Sequence, residues 1–270
     1  MAERLKDRVA IVVGAGQSPG PTPAIGNGRA TAMLFAREGA KVLSVDRELD
    51  LAEETAELIQ GEGNAASAAA CDITEEAQIE AMVKLAMERH GRIDILHNNV
   101  GISVDGNDAS PTEITTEAFD LITAVNLRGM VMTVKHVLPV MRERLAGAIV
   151  NISSMAAWNN YPWVTYKATK SAMIAWTQQV AIQNAEFGIR ANVILPGLMD
   201  TPMAVDTRAR AFERSREEIA AERDARVPLR GKMGTGWDVA NAALFLVSDD
   251  SQFITGVALP VDGGSSCRTG

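Results

Sequence analysis

Tyr166 and Lys170 stand four residues apart in a stretch with helical apolar spacing, Val164 to Phe187, so both side chains project from one helix face toward a common ligand. A phenol near pKa ~10 is a poor base at neutral pH, but a neighbouring ammonium lowers it by roughly 1–3 units, into a useful range. The chemistry open to this pair is transfer of a hydroxyl proton while a nicotinamide handles the hydride. Ser154, twelve residues upstream, follows an apolar run and is placed to hold the substrate oxygen beside Tyr166; Ser153 competes for that role. Taken alone, a Tyr-x-x-x-Lys pair is more often a solvated pair than a catalytic one. Its weight therefore depends on the elements that position it.

Those elements alternate. Val9 to Val13 is a β-branched apolar run ending in glycine, and Arg29 to Arg37 then carries helical spacing. Strands are predicted at Lys41 to Asp46, Ala65 to Asp72 (alanine-rich and weaker), Ile93 to His97, Ala148 to Ser153, Arg190 to Leu195 and Gly256 to Val261. Helices are predicted at Leu49 to Gln60, Glu75 to His90, Thr115 to Arg144, Val164 to Phe187 and Trp237 to Ser248. Strands alternating with helices imply right-handed crossovers and an α/β doubly wound (Rossmann) parallel sheet of seven strands with helices on both faces. One domain over residues 1–270 is expected, with a charged helical insertion at about 203–236 between candidate hinges at Pro202 and Gly231 to Gly236.

Composition narrows the functional classes. With 47% hydrophobic and 22% charged residues the chain has material for a full core, which argues against global disorder. A net charge of -8 without a basic stripe argues against a nucleic-acid surface. Cys71 and Cys267 lie far apart without a metal-ligand or redox spacing, which suits a reducing cytoplasm and no metal. The apolar run after the charged Met1 to Arg8 is cut short by Gly14, so no signal peptide is expected, and no run is long enough for a membrane span.

The first strand–turn–helix unit of a doubly wound fold binds a dinucleotide, because glycines let the backbone approach a pyrophosphate that then meets a helix N-terminus. Gly14, Gly16, Gly26 and Gly28 occupy that turn, with Gly26, Asn27 and Gly28 doing the phosphate work. Gln17 to Ala24, with Pro19, Pro21 and Pro23, reads either as a semi-rigid excursion beside the cofactor or as a surface loop without a role. Asp46, ending the second strand, is placed to accept from both adenosine ribose hydroxyls and repel a 2′-phosphate, which favours NAD; Arg47 beside it keeps NADP open. Asp72 faces the adenine edge or caps a helix.

In order along the chain, these features resemble the classical short-chain dehydrogenase/reductase family. CDIT, with Asp72 and Ile73, resembles the adenine segment, and HNNVG, with Asn99 and Gly101, the Asn-Asn-Ala-Gly motif, Val100 replacing its alanine. VNLRG carries Asn126, which the resemblance implies holds a water relaying protons through the lysine, and NISS places Ser154 at the catalytic serine's position. LPGLMDTPM is similar to the segment that holds the nicotinamide carboxamide, with Pro196, Gly197 and Thr201 as contacts, and VDGG matches the C-terminal strand. The family also implies that Lys170 bonds the nicotinamide ribose and that the chain forms a homotetramer. One departure stands out: Gly14 and Gly26 are twelve positions apart, an elongated glycine turn.

IGNGRA looks somewhat like the turn of enoyl-acyl-carrier reductases, yet that branch spaces its tyrosine and lysine more widely, so Tyr166-x-x-x-Lys170 favours alcohol and carbonyl chemistry. His97 lacks a visible partner and is expected to pack. Trp158, Tyr161 and Trp163 form either an apolar wall of the substrate site or core, and Met199 and Met203 begin either a mobile lid or a solvated face. The expected activity is NAD-dependent interconversion of a secondary apolar, cyclic or aryl alcohol and its ketone; a non-catalytic NAD-binding sensor or scaffold and an enoyl reductase are the alternatives.

Overall fold

A computed structural model describes residues 3–18, 22 and 24–268, so Pro19, Pro21 and Pro23 lie outside the described residues. The strands are β1 (Val9–Val13), β2 (Lys41–Asp46), β3 (Ala66–Ala70), β4 (Ile95–Asn98), β5 (Gly147–Ile152), β6 (Ile189–Pro196), the two-residue β7 (Met199–Asp200) and β8 (Gly234–Thr235), and β9 (Ala258–Val261). The helices are, in chain order, α1 (Asn27–Arg37), α2 (Leu49–Gly61), α3 (Glu76–His90), α4 (Thr116–Thr123), α5 (Gly129–Arg144), α6 (Val164–Gln183), α7 (Thr207–Ala211), α8 (Arg216–Asp224) and α9 (Gly236–Val247).

Seven strands pair in parallel in the order β3-β2-β1-β4-β5-β6-β9. All five residues of β1 are buried, which is why the run is uniformly apolar rather than alternating. Apolar residues of α3, α5 and α6 fill one face of the sheet, and those of α1, α2 and α9 fill the other. Each fully buried Val, Leu or Ile contributes roughly 1.5–3 kcal/mol, so the two faces together fix the single-domain architecture. Chain order runs outward from β1 to β3 and then returns to β4 on the other side, so the crevice at the carboxyl ends of β1 and β4 is where such a sheet takes a ligand.

The strands predicted at Ile93 to His97 and Gly256 to Val261 and the helix predicted at Val164 to Phe187 shift by a few residues at their ends, and two further elements differ for reasons of their own. The helix expected over Thr115 to Arg144 is interrupted by a π-turn, Ala124–Arg128, between α4 and α5. Asn126 sits in that turn fully buried and bonds the backbone of Ile102 in both directions, a tie that 3.6-residue periodicity does not encode. The third strand is shorter than Ala65 to Asp72, since β3 is an edge strand pairing only with β2. The 203–236 segment contains α7 and α8, and its base is clipped by the parallel pairing of Met199 with Gly234 and Asp200 with Thr235. Among the described residues no helix is long and apolar enough to cross a membrane.

His97 packs on β4, fully buried, edge-on to Phe35 at 6.0 Å, with neither ring nitrogen partnered. Burial pushes its pKa down to about 3. The native ring thus stays neutral while the unfolded chain takes up a proton below about 6.5, so stability is lost as pH falls through that window. We expect His97→Leu to unfold at higher denaturant at pH 7 and to gain about 2 kcal/mol more over wild type at pH 5, measured by urea titration at both pH values.

Candidate active site

Ser154 follows β5 at the carboxyl edge of the sheet with an extended backbone, and its Oγ accepts only from the Ala156 amide, leaving its proton free to donate. Ser153 is buried and donates its hydroxyl to the Lys170 carbonyl at 2.7 Å, so its proton is committed where that of Ser154 is not. Lys170 is 2% exposed; its Nζ donates to the Ile152 carbonyl at 2.8 Å and lies 5.7 Å from the centre of the Tyr166 ring. Burial lowers its pKa to about 7. Gly101 is the floor beneath it: a Cβ there would stand 3.0 Å from the Lys170 Nζ and 3.5 Å from the Asn126 Oδ1.

The phenol of Tyr166 departs from expectation. Its ring is half-buried, but its hydroxyl end is enclosed, and desolvation pushes the pKa up to about 12, with Tyr161 adding to the rise. A hydrogen bond from Ser154 and the charges of Arg208 and Arg223 pull it down. Lys170 is not among the groups that lower it, because its own ammonium is desolvated and turned to the Ile152 carbonyl. Asn126 spends its amide on Ile102, and donates to Thr169 at 3.3 Å on the helix that carries Tyr166 and Lys170.

The glycine turn lies at the crevice between β1 and β4. Gly14 has φ +79°, and a Cβ on Gly28 would lie 1.9 Å from the Gly14 carbonyl oxygen, so α1 starts in direct contact with the turn. Asn99 donates to that same carbonyl at 3.0 Å. The amide of Gly26, expected to meet a phosphate, instead donates to the Gln17 Oε1 at 2.7 Å, while Gln17 donates to the Ala24 carbonyl. This clamp draws the two ends of the elongated loop together. Among the described residues the amides of Asn27, Gly28 and Arg29 have no partner inside α1, Gly26 offers no side-chain cap, and the buried Asn27 Oδ1 has no donor.

Asp46 accepts from the Gly16 amide at 3.0 Å, and Arg47 pairs with Glu48 rather than turning to it. Asp72 folds its carboxylate onto Thr74 and is not the cap of α3, whose N-cap is Glu75, while Ile73 is buried in the core. Beyond β6, the Gly197 amide following Pro196 bonds the Val261 carbonyl, and the Thr201 hydroxyl accepts from Ala204. On the substrate side Tyr161 is central: its ring is 5.3 Å from Tyr166 and 5.4 Å from Trp163, and its hydroxyl meets Ser103 and Arg208. Trp158 and Met203 are exposed, whereas Met199, expected at the pocket, packs 4% exposed in the core against β8.

Two positioning groups had no signal in the sequence. Arg29, 6% exposed, holds Glu54 and donates to Thr55, whose hydroxyl reaches the Ala15 carbonyl in the glycine turn. Asp108 accepts from the amides of Thr165 and Tyr166 at 3.1 and 2.8 Å and so caps α6 from 57 residues away, where Trp163 offers no side-chain cap. Replacing it by Ala removes a buried cap, and the expected loss is about 1–2 kcal/mol in chemical denaturation, with Asp108→Asn intermediate.

Known proteins share this fold and about a third of the sequence behind it. The sequence profile of a family described as Enoyl-(Acyl carrier protein) reductase matches residues 24–266. Levodione reductase of Leifsonia aquatica is 34% identical over 267 residues, covering 97% of this chain and 96% of that protein. The 2-(R)-hydroxypropyl-CoM dehydrogenase of Xanthobacter autotrophicus is 35% identical over 260 residues, covering 95% and 97%. A solved structure from Burkholderia xenovorans, assigned to the short-chain dehydrogenases/reductases, is 40% identical with a TM-score of 0.88 and covers 99% of both chains. The chain belongs to the classical short-chain dehydrogenase/reductase family of NAD(P)-linked oxidoreductases.

Proposed function

We propose that this protein interconverts a secondary alcohol bearing an apolar cyclic or aryl body and its ketone, using NAD. The observation that carries the proposal is the enclosed Lys170 ammonium, with one acceptor and its remaining hydrogens unspent, beside Tyr166 and Ser154 at the carboxyl edge of the sheet. A dinucleotide fits the residues present: the uncapped start of α1, with the amides of Asn27, Gly28 and Arg29, suits the pyrophosphate end, the Asn27 Oδ1 can accept from a hydroxyl of the ligand, and the unspent hydrogens of Lys170 suit a ribose. Asp46 would take the adenosine ribose, which favours NAD over NADP, and Asp72, Ile73, Asn99, Gly101, Pro196, Gly197 and Thr201 would line the remainder. Bound there, the nicotinamide supplies the hydride acceptor or donor.

Ser154 orients the substrate oxygen, Tyr166 exchanges the proton with it, and Lys170 and Asn126 link that phenol to solvent. Because burial holds the phenol near 12, Tyr166 is protonated at neutral pH and is ready to donate to a ketone oxygen. In the oxidative direction it must first lose that proton. The 203–236 segment closes over the substrate, with Tyr161 and Trp163 as the apolar wall. Relatives named levodione reductase and 2-(R)-hydroxypropyl-CoM dehydrogenase support this class. The enoyl description of the matching profile keeps alkene reduction as a second reading, against which the four-residue spacing of Tyr166 and Lys170 stands. Two free cysteines fit a reducing cytoplasm, and exposed Phe119, Leu121 and Phe253 fit burial in a homotetramer, which sedimentation would reveal.

With a panel of cyclic and aryl ketones and NADH, we expect turnover to stay level through neutral pH and to fall only as the phenol loses its proton toward pH about 12, with alcohol oxidation by NAD rising over that same alkaline range. Tyr166→Phe should lower kcat by about 10²–10⁴ while dinucleotide still binds. Turnover of an enoyl thioester but of no ketone would give the enoyl reading; dinucleotide binding without either activity would give the sensor.

A further inference from the structure

The cap over the phenol carries more positive charge than its own carboxylates neutralise. Arg216 is held by Asp200 and Asp206, Arg214 by Glu222 and Lys232 by Asp224. Arg208 and Arg223 have no carboxylate partner among the described residues. Arg208, on α7, donates to the Tyr161 hydroxyl at 3.3 Å and to the Ala204 carbonyl, and its guanidinium lies 5.7 Å from the centre of the Trp163 ring. The side chain of Arg223, on α8, makes no hydrogen bond among the described residues, and its Nε is sealed from solvent without an acceptor.

Arg208 reaches the reacting group through Tyr161, whose ring lies 5.3 Å from Tyr166, and Arg223 is close enough to Arg208 for each to feel the other's charge. Burial first, then the charges of Arg208 and Arg226, pull Arg223 down to about 10, so the site is one that disfavours the positive charge it holds. Both arginines also act on the Tyr166 phenol. Asp200 is near enough to offset Arg223 in part, but its carboxylate is bonded to Arg216. A guanidinium offers planar, paired donors suited to an oxyanion, and a desolvated one without a partner is costly until such a group arrives.

We propose that Arg208 and Arg223 form an anion-binding arm of the substrate pocket, so that the natural hydroxy or keto substrate carries an oxyanion beyond the apolar body that rests on Tyr161 and Trp163. The arm takes the chemistry shared by carboxylates, sulfonates and phosphates. It rests on the reading of Tyr166 as the group that exchanges the substrate proton. Substrate specificity then comes from the cap, whose charge pulls the distal end of the molecule while Ser154 and Tyr166 hold the reacting oxygen.

The test compares aryl and alkyl ketones that carry a terminal carboxylate, sulfonate or phosphate with their neutral methyl-ester or amide counterparts, using NADH and wild type, Arg223→Met, Arg223→Lys and Arg208→Met. Wild type is expected to favour the anionic members by about 30- to 100-fold in kcat/KM, the range of a charge-assisted hydrogen bond. Arg223→Met should collapse that ratio toward one, chiefly through KM, with Arg223→Lys restoring part of it, and inorganic sulfate should compete with the anionic ketone in wild type only. Equal treatment of charged and neutral ketones by wild type, or an unchanged ratio in both Met variants, would overturn the proposal. Titration of the anionic ketone into Tyr166→Phe with NADH reads binding without turnover. If the anion preference persists there while no ketone is reduced by wild type, the arm stands and the dehydrogenase reading fails.

Discussion

The ammonium of Lys170, sealed from water, is the constraint around which the site is built. A buried cation is unfavourable unless polar atoms surround it, and here a single carbonyl, Ile152, accepts from it directly. Its surroundings follow from that need. Gly101 has no side chain because one would press on the Nζ, Ser153 fastens the Lys170 carbonyl, and Asn126 ties its helix-breaking turn to Ile102 beside the same space. The amine thus keeps hydrogens that no neighbouring carbonyl takes up among the described residues, and desolvation, rather than attraction, dominates both Lys170 and Tyr166.

A second constraint is the way the helix that carries the pair is held. Asn98 donates to Asn151, Asn151 donates to Thr177 on α6, and Thr133 on α5 donates back to Asn98, a buried chain that binds two strands to two helices. Asp108 fixes the N-terminal end of α6 while Thr177 fixes its middle, so the register of Tyr166 and Lys170 against β5 is set from both sides of the pair. At the other half of the crevice Arg29, Thr55 and Gln17 perform the same service for the glycine turn, whose extra length is closed by side-chain bonds rather than by a shorter backbone.

Much of this architecture is legible in the order of the amino acids. The uniform burial of β1 follows from its run of Val and Ile, and the seven-stranded parallel sheet follows from alternation, since parallel strands demand crossovers of one hand. Tyr166 and Lys170 share a face because a helix repeats every 3.6 residues. The π-turn at Asn126 is not legible, because the bond that stabilises it joins residues 24 apart, and neither is Asp108 as a cap at 57 residues' distance. Met199 reads as a pocket residue from its neighbours in sequence, but the pairing of β7 with β8 turns it into the core.

What the sequence determined by itself was the set of local patterns: strand and helix identity, the glycine turn, the tyrosine–lysine spacing and the aspartate at the end of β2. These depend on residues within a few positions of one another, and hydrophobic period and backbone freedom write them directly into the chain. Only the tertiary structure decided which serine keeps an uncommitted hydroxyl, how Gln17 closes the long turn, that burial is the largest influence on the phenol, and that the Arg208 and Arg223 side chains have no carboxylate bonded to them among the described residues. Each of those outcomes turns on desolvation or on a bond between segments distant in sequence. Burial and long-range contact exist only once the chain has folded.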